Sequence, residues 1–458
     1  MRPRKIFQSL SEQKKDKKVS LLIGARQVGK TTILKALHKK LSAGSKTVFL
    51  DLDIYSNYEK VSTFENFVNT LKLNGYDENQ GEFFYVFLDE FQRYHGLTLV
   101  IKNIYDNFDN IKIYASGSSS IKIKDEIQES LAGRKRINNI YPLSFEEFLW
   151  FKEDEGATRH LHNIRKLKGK QLKHPTSKLL AYLNEFMVTG GYPEVVLENN
   201  KADVLESIFD LYVKKDLLEY LDVSKISPAK RLIEYLAINN GQKIKYNEIG
   251  QICSLRYKEV LNYIELLKET CLIIDLRPFF SNKNSELVKI PKIYFMDNGV
   301  RNYFINNFNP VNKRNDSGFL FEGFVLSELL KNGVKTDAIK FWQDKNKHEV
   351  DIILDFISKQ IPIEIKYKEN LKHDDFIGLK AFCDMYPETH TPFLINLDRQ
   401  EQDKKYEFIL PYDLKMVDPH GNSIKRIQTD ILQPLGVFRL QKTRISHQQK
   451  YLDKRLFS

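Results

Sequence analysis

Val19-Ser20-Leu21-Leu22-Ile23-Gly24-Ala25-Arg26-Gln27-Val28-Gly29-Lys30-Thr31-Thr32 is the stretch that decides the fold. Residues 19–23 are a short apolar run that reads as a buried strand, and residues 32–41 carry a helical period. Between them, Gly24-x-x-x-x-Gly29-Lys30-Thr31 lets the backbone curl until its N–H groups converge, and the helix N-terminus adds partial positive charge. That arrangement cradles phosphate. Lys30 can reach the β- and γ-phosphates of a nucleotide, and the Thr31 hydroxyl can ligand Mg2+. The expected binding loop is therefore Gly24, Ala25, Arg26, Gln27, Val28, Gly29, Lys30, Thr31 and Thr32, with ATP and Mg2+ as cofactors. The plain alternative is a Gly-rich turn with no ligand; the flanking strand and helix and the Lys-Thr ending argue against it.

Such a site needs an acid at the end of a second apolar strand. Phe83-Phe84-Tyr85-Val86-Phe87-Leu88-Asp89-Glu90 supplies one. Asp89 would hold the Mg2+ shell and Glu90 would polarise the attacking water, which points to hydrolysis rather than binding alone. The next strand-like run, 111–115, ends in Ser116-Gly117-Ser118-Ser119-Ser120. Ser116 would lie beside Asp89 in a parallel sheet, within reach of the γ-phosphate; an ordinary Ser-rich turn reads equally well. In Leu131-Ala132-Gly133-Arg134-Lys135-Arg136, Arg134 is a candidate to stabilise transition-state charge at a neighbouring γ-phosphate. That role usually crosses subunits and makes a homo-oligomer an expectation. A solvated basic loop is the competing reading.

A chain of 458 residues calls for about three domains. Lys and Arg outnumber Asp and Glu by 71 to 60, a net charge of +11 that permits a polyanionic partner without requiring one. Cys253, Cys271 and Cys383 are scattered, with neither metal-ligand spacing nor a disulfide framework, which suits a reducing cytoplasm. The first 18 residues lack the apolar core of a signal peptide, and no apolar run approaches membrane-spanning length. A cytoplasmic protein with no membrane partner is expected. Runs at 19–23, 47–52, 83–88 and 111–115 alternate with amphipathic stretches, the pattern of βαβ units and a parallel sheet. Residues 144–276 read as helical, interrupted at 156–178 by a basic, polar stretch of poor periodicity that reads as a surface loop or insertion. Helical runs at 229–239, 246–253 and 257–269, followed by extended runs at 272–280 and 287–295, suggest a winged helix. A helix at 320–331, strands at 339–342, 349–354 and 360–366, a helix at 376–385 and a last strand at 393–397 follow.

The loop, Phe87-Leu88-Asp89-Glu90, Ser116 to Ser120, Leu131-Ala132-Gly133-Arg134, Tyr141-Pro142-Leu143-Ser144-Phe145-Glu146-Glu147-Phe148 and Gly190-Gly191-Tyr192-Pro193 occur in an order that resembles one family. It is the prokaryotic AAA-type ATPase family whose members carry a C-terminal domain formally of unknown function, itself similar to PD-(D/E)XK nucleases. The likeness covers roughly residues 15–400. It implies an α/β fold: a P-loop NTPase parallel sheet at 1–150, a helical lid at 151–226, a winged helix at 227–300, a restriction-endonuclease-like α/β domain at 301–420 and a basic tail at 421–458. Gly190-Gly191-Tyr192-Pro193, otherwise a helix-ending turn, would belong to the lid that closes on nucleotide.

The third segment supports the likeness on its own chemistry. Glu322 lies on a helix, Asp351 begins the core of a strand, and Glu364-x-Lys366 projects from one face of the next strand. Asp351 and Glu364 can share a hard cation, and Lys366 can orient a metal-bound water or stabilise charge during phosphodiester cleavage. Val350 stands where the usual pattern has proline. A lone Glu-x-Lys on an edge strand would mean little; here apolar neighbours place both acids on a partly buried surface. For DNA, Arg256, Tyr257 and Lys258 open the third helix of the winged-helix segment, and Arg277, Lys283, Lys289 and Lys292 lie on its wing. The segment could instead serve only as lid and linker. Arg439, Lys442, Arg444, Lys450, Lys454 and Arg455 make the tail basic. The expectation is an ATP-hydrolysing protein coupled to a Mg2+-dependent nuclease-like domain acting on DNA; the alternative is a non-cleaving ATP-driven switch or DNA-binding protein.

Overall fold

The run at 19–23 becomes strand β1 (Val19–Gly24), buried at every position. Its side chains alternate between two cores, as a strand sandwiched by helices requires. Leu22 packs with Ile33, Leu34 and Leu37 of the helix Lys30–Ser42, while Val19, Leu21 and Ile23 face Ile101 and Ile104. Strands β2 (Thr47–Asp51), β3 (Phe84–Asp89), β4 (Ile111–Ser118) and β5 (Lys135–Asn139) complete a parallel sheet ordered β2-β3-β4-β1-β5. The carboxyl ends of β1, β3 and β4 bring Gly24, Asp89 and Ser116 to one edge, where open α/β sheets hold ligands. β5 was not anticipated. Asn138 is its only buried position, so it carries no hydrophobic signal and is held by backbone pairing to β1.

The computed structural model describes residues 2–414 except 80, 119–126, 128, 167–171, 174–176, 213–216, 218–220, 222 and 357–358. Ser119, Ser120 and the basic tail lie outside the described residues. Among the described residues, no helix is long and apolar enough to cross a membrane.

The first half of the stretch read as a polar loop is the helix Glu155–Lys166. Ala157, Leu161 and Ile164 are buried at helical spacing, a narrow stripe that the surrounding polar residues hide. Helices Phe145–Phe151 and Ser177–Thr189 accompany it. The first is entered through a capping box in which Ser144 and Glu147 satisfy each other's backbone N–H groups.

Helices Tyr246–Cys253 and Tyr257–Glu269 appear as expected, whereas the one expected at 229–239 begins earlier, as Val223–Ile238 with Pro228 inside it; β7 (Ile273–Pro278) and β8 (Lys292–Phe295) then pair antiparallel. The hairpin is not a free wing. β7 also pairs, parallel, with β9 (Ile339–Gln343), which makes the hairpin one edge of a nine-stranded sheet. Beyond β9 come β10 (Glu349–Phe356), β11 (Lys359–Ile365), β12 (Phe393–Ile395), β14 (Glu407–Ile409), β13 (Arg399–Gln402) and β6 (Leu172–Lys173). The strand at 393–397 is therefore not the last; β13 is polar throughout and β14 is only three residues long, so neither announces itself.

The boundaries drawn from sequence cut through shared packing. Phe145, Phe148, Phe186, Phe324 and Tyr412 form one aromatic cluster, joining the helices at 145–151 and 177–189 to the nine-stranded sheet. Leu22 and Ile33 share a core with Leu232 and Ile264 of the middle helices.

Candidate functional site

At the first site, Gly24 has no room for a side chain: a Cβ there would sit 2.1 Å from the Ile140 carbonyl oxygen. Gln27 and Gly29 take positive φ, +59° and +94°, which turns the loop into the helix Lys30–Ser42. The Lys30 ammonium donates to the carbonyls of Gly24 (3.1 Å) and Ala25 (2.8 Å), across the loop it closes. Arg26, Gln27, Gly29, Lys30, Thr31 and Thr32 line a cleft of about 480 Å3 with Asp53, Glu90, Pro193 and Glu194. Val28 turns inward and is fully buried.

Asp89 ends β3 and is 2 % exposed. It accepts hydrogen bonds from the hydroxyls of Ser116 and Thr31. Burial raises its pKa, and those two hydroxyls partly offset the rise. A buried carboxylate beside a P-loop threonine is the hard-oxygen set that Mg2+ takes, so the residues fit the ion. Glu90 follows at φ +55°, lines the cleft and accepts from the Gln92 amide. Loop, acid pair and Ser116 thus come together. Arg134 does not join them. Its carbonyl accepts from Val19 N–H at the opposite edge of the sheet, and its guanidinium pairs with Asp106 at 2.6 Å.

Two contributors escaped the sequence reading. Arg4, 8 % exposed, donates to the carbonyls of Val28 (2.8 Å) and Tyr141 (2.9 Å) and to Glu147 (3.0 Å). It braces the loop from a segment whose only sequence signal was its charge. Asp297 accepts from Gly191 N–H at 2.7 Å and from Gly299 and Val300 N–H, capping the helix Asn298–Phe304. Gly190 is obligatory here: at φ +76° its Cβ would lie 1.9 Å from an Asp297 carboxylate oxygen. The turn it begins sets Pro193 and Glu194 in the cleft.

The second cluster is in the nine-stranded sheet. Asp351 on β10 accepts from Ile365 N–H at 2.8 Å, and Lys366 lies 3.7 Å from Asp351 while pairing with Glu364. Glu322 accepts from the Tyr294 hydroxyl at 2.8 Å. Lys292 was assigned to the wing as a cation for DNA; instead it is 5 % exposed and pairs with Glu349, inside this cluster. The reason is that β8 is a buried sheet strand. Arg277 and Lys283 are likewise engaged, with Asp275 and with Glu286 and Asp355.

Burial, then the Asp351 charge, pushes the Glu322 carboxyl up to about 7 and raises Glu364 as well. For Lys366, burial alone would favour the neutral form, but Asp351 and Glu364 outweigh it and raise the pKa. Among the described residues, no three His, Cys, Asp or Glu side chains converge as a metal cage. The donors are hard oxygens and Glu364 Oε2 is buried with no hydrogen-bond partner, but the charge that Asp351 and Glu364 meet in the structure is the Lys366 ammonium. Arg256, Tyr257 and Lys258 lie exposed at the start of the helix Tyr257–Glu269, in neither cluster.

Residues 16–149 match the model of an AAA domain, residues 180–311 a domain of unknown function (DUF8612), and residues 317–414 another (DUF4143). An uncharacterised protein of Methanocaldococcus jannaschii is 27% identical over 365 residues, which cover 77% of this chain and 75% of that protein. An uncharacterised protein of Haemophilus influenzae is 23% identical over 382 residues, 81% of this chain and 88% of that one. Among solved structures, Aeropyrum pernix ORC1 in complex with DNA aligns at 12% identity and TM-score 0.29, covering 66% of this chain and 91% of that one. A likeness that low carries no argument about partners. The parallel sheet, the P-loop and the family match define an AAA-type ATPase domain in the N-terminal third of the chain.

Proposed function

We propose that the chain binds ATP with Mg2+, hydrolyses it, and couples that cycle to a nuclease-like C-terminal module that acts on DNA. The observation that carries the reading is the meeting of Lys30, Thr31, Asp89, Glu90 and Ser116 at one edge of the sheet. Loop N–H groups and the helix N-terminus hold the phosphates, and Lys30 exchanges its carbonyl partners for phosphate oxygens. Thr31 and Asp89 would hold Mg2+, which when bound neutralises phosphate charge. Glu90, one residue beyond the strand, is free of that shell and can take a proton from water. Ser116 keeps Asp89 oriented.

In the module, Lys366 would stabilise charge on a phosphodiester while Asp351 and Glu364 hold the cation. Arg256, Tyr257 and Lys258 would contact the DNA backbone, and Arg134 a neighbouring subunit's nucleotide. A second reading, a switch that binds without cleaving, is favoured by the burial of Asp351 and Glu364 and their engagement by Lys366. Two substitutions separate the readings. Lys30→Ala should abolish ATP turnover; turnover at the wild-type rate would end the ATPase reading. Lys366→Ala should remove Mg2+-dependent cleavage of plasmid DNA; wild-type protein that never cleaves leaves the switch.

A further inference from the structure

Three local features of the turn after β3 run against stability, and all three converge on Glu90. Glu90 carries a Cβ, yet it takes φ +55°, in the left-handed region that costs such a residue. Two residues on, the Gln92 side chain folds back so that its amide donates to a Glu90 carboxylate oxygen. That pose strands the other end of the amide: Gln92 Oε1 is buried and meets no hydrogen-bond partner among the described residues. An ionised carboxylate only accepts, so the nitrogen must be the end that faces Glu90 and the carbonyl oxygen the end left alone. The third feature is Gly117 near the end of β4. A Cβ there would sit 2.8 Å from Gln92 Oε1 and 2.8 Å from the Phe91 ring, so glycine makes the room that the pose needs.

A buried carbonyl oxygen without a partner destabilises a fold, and a left-handed glutamate adds to the cost. An apolar side chain of the same length would avoid the orphaned oxygen altogether. What glutamine adds at this position is its N–H end, and that end holds the acid that activates water. Glu90 lines the nucleotide cleft, while Gln92 is not among the described residues that do. Gln92 therefore meets the chemistry through Glu90. We propose that Gln92 is a positioning residue whose amide fixes the direction of the Glu90 carboxylate, with Gly117 leaving the space in which it does so. The inference rests on the reading of Glu90 as the base for ATP hydrolysis. It also gives the end of β4 a double role: the Ser116 hydroxyl binds Asp89, and Gly117 accommodates the residue that binds Glu90. Both acids at the end of β3 are then oriented from the neighbouring strand.

The experiment measures ATP hydrolysis, ATP affinity and thermal unfolding of the full chain as wild type, Gln92→Met, Glu90→Gln and the double variant. Methionine keeps the unbranched shape and removes both the donor and the orphaned oxygen. Gln92→Met should lower kcat about tenfold or more with KM and the Kd for ATP unchanged, because a displaced base loses much of its effect. Its melting temperature should equal or exceed that of wild type, since a buried unsatisfied oxygen is gone. In the Glu90→Gln background the same substitution should change the residual turnover little, as residues that act as one unit are not additive. A wild-type kcat in Gln92→Met, with Glu90→Gln impaired, overturns the positioning role and leaves the base standing. Wild-type turnover by Glu90→Gln removes the base and the inference with it. A lowered melting temperature, a failure to fold, or an equal loss of turnover with and without Glu90 makes Gln92 a structural side chain and overturns the role as well.

Discussion

Lys112 is a lysine with no exposed surface, placed in the middle of the ATPase sheet on β4. Its ammonium donates to the Lys18 carbonyl and to the Ser20 hydroxyl, the latter at 2.8 Å. Burial pushes its pKa down to about 7, with nearby Asp16 opposing the shift. The unfolded chain keeps this group protonated up to about pH 10. Between those limits the unfolded state binds the extra proton, so folding stability rises with pH, and below about pH 7 the cost of a buried charge is fully felt. Lys112→Met should flatten that part of the curve. Melting temperatures of wild type and variant between pH 7 and 10 check it; parallel curves would refute the assignment. Neither Lys112 nor Arg4 was singled out from sequence, because a buried cation in a short polar context looks like any surface lysine or arginine.

At the scale of elements, β8 joins the two sites. Its Lys292 and Tyr294 reach the acid cluster, and Asp297, just past its end, grips the Gly190–Gly191 turn beside the nucleotide cleft. Asp297→Ala removes a helix cap and leaves the Gly191 N–H buried without its acceptor. The expected loss is about 1–3 kcal/mol in denaturant unfolding. Nucleotide affinity should weaken too, because Pro193 and Glu194 lose their anchor. An unchanged Kd for ATP in a folded variant would show that the turn is independent of the cleft. Long periodic elements were legible: β1, the helix at 257–269 and the Glu364-x-Lys366 strand all carry their pattern in sequence. The helix Glu155–Lys166 and strands β5, β13 and β14 were not: the helix buries one narrow stripe, β5 a single residue, and β13 and β14 are only four and three residues long. Assigning β7 and β8 to a wing went astray because pairing with β9 is a long-range contact that no local pattern records.

The molecule as a whole is built from cores that cross the limits read from sequence, one tying the ATPase sheet to the middle helices and one tying the lid-side helices to the nine-stranded sheet. Everything depends on whether the N-terminal site turns over ATP through the acid that follows β3. The direct measurement is steady-state ATP hydrolysis and equilibrium ATP binding by the full chain, wild type against Glu90→Gln. The account predicts that wild type hydrolyses ATP and that Glu90→Gln binds it with a similar Kd while turnover falls about 100-fold or more. Turnover by Glu90→Gln at the wild-type rate would contradict it.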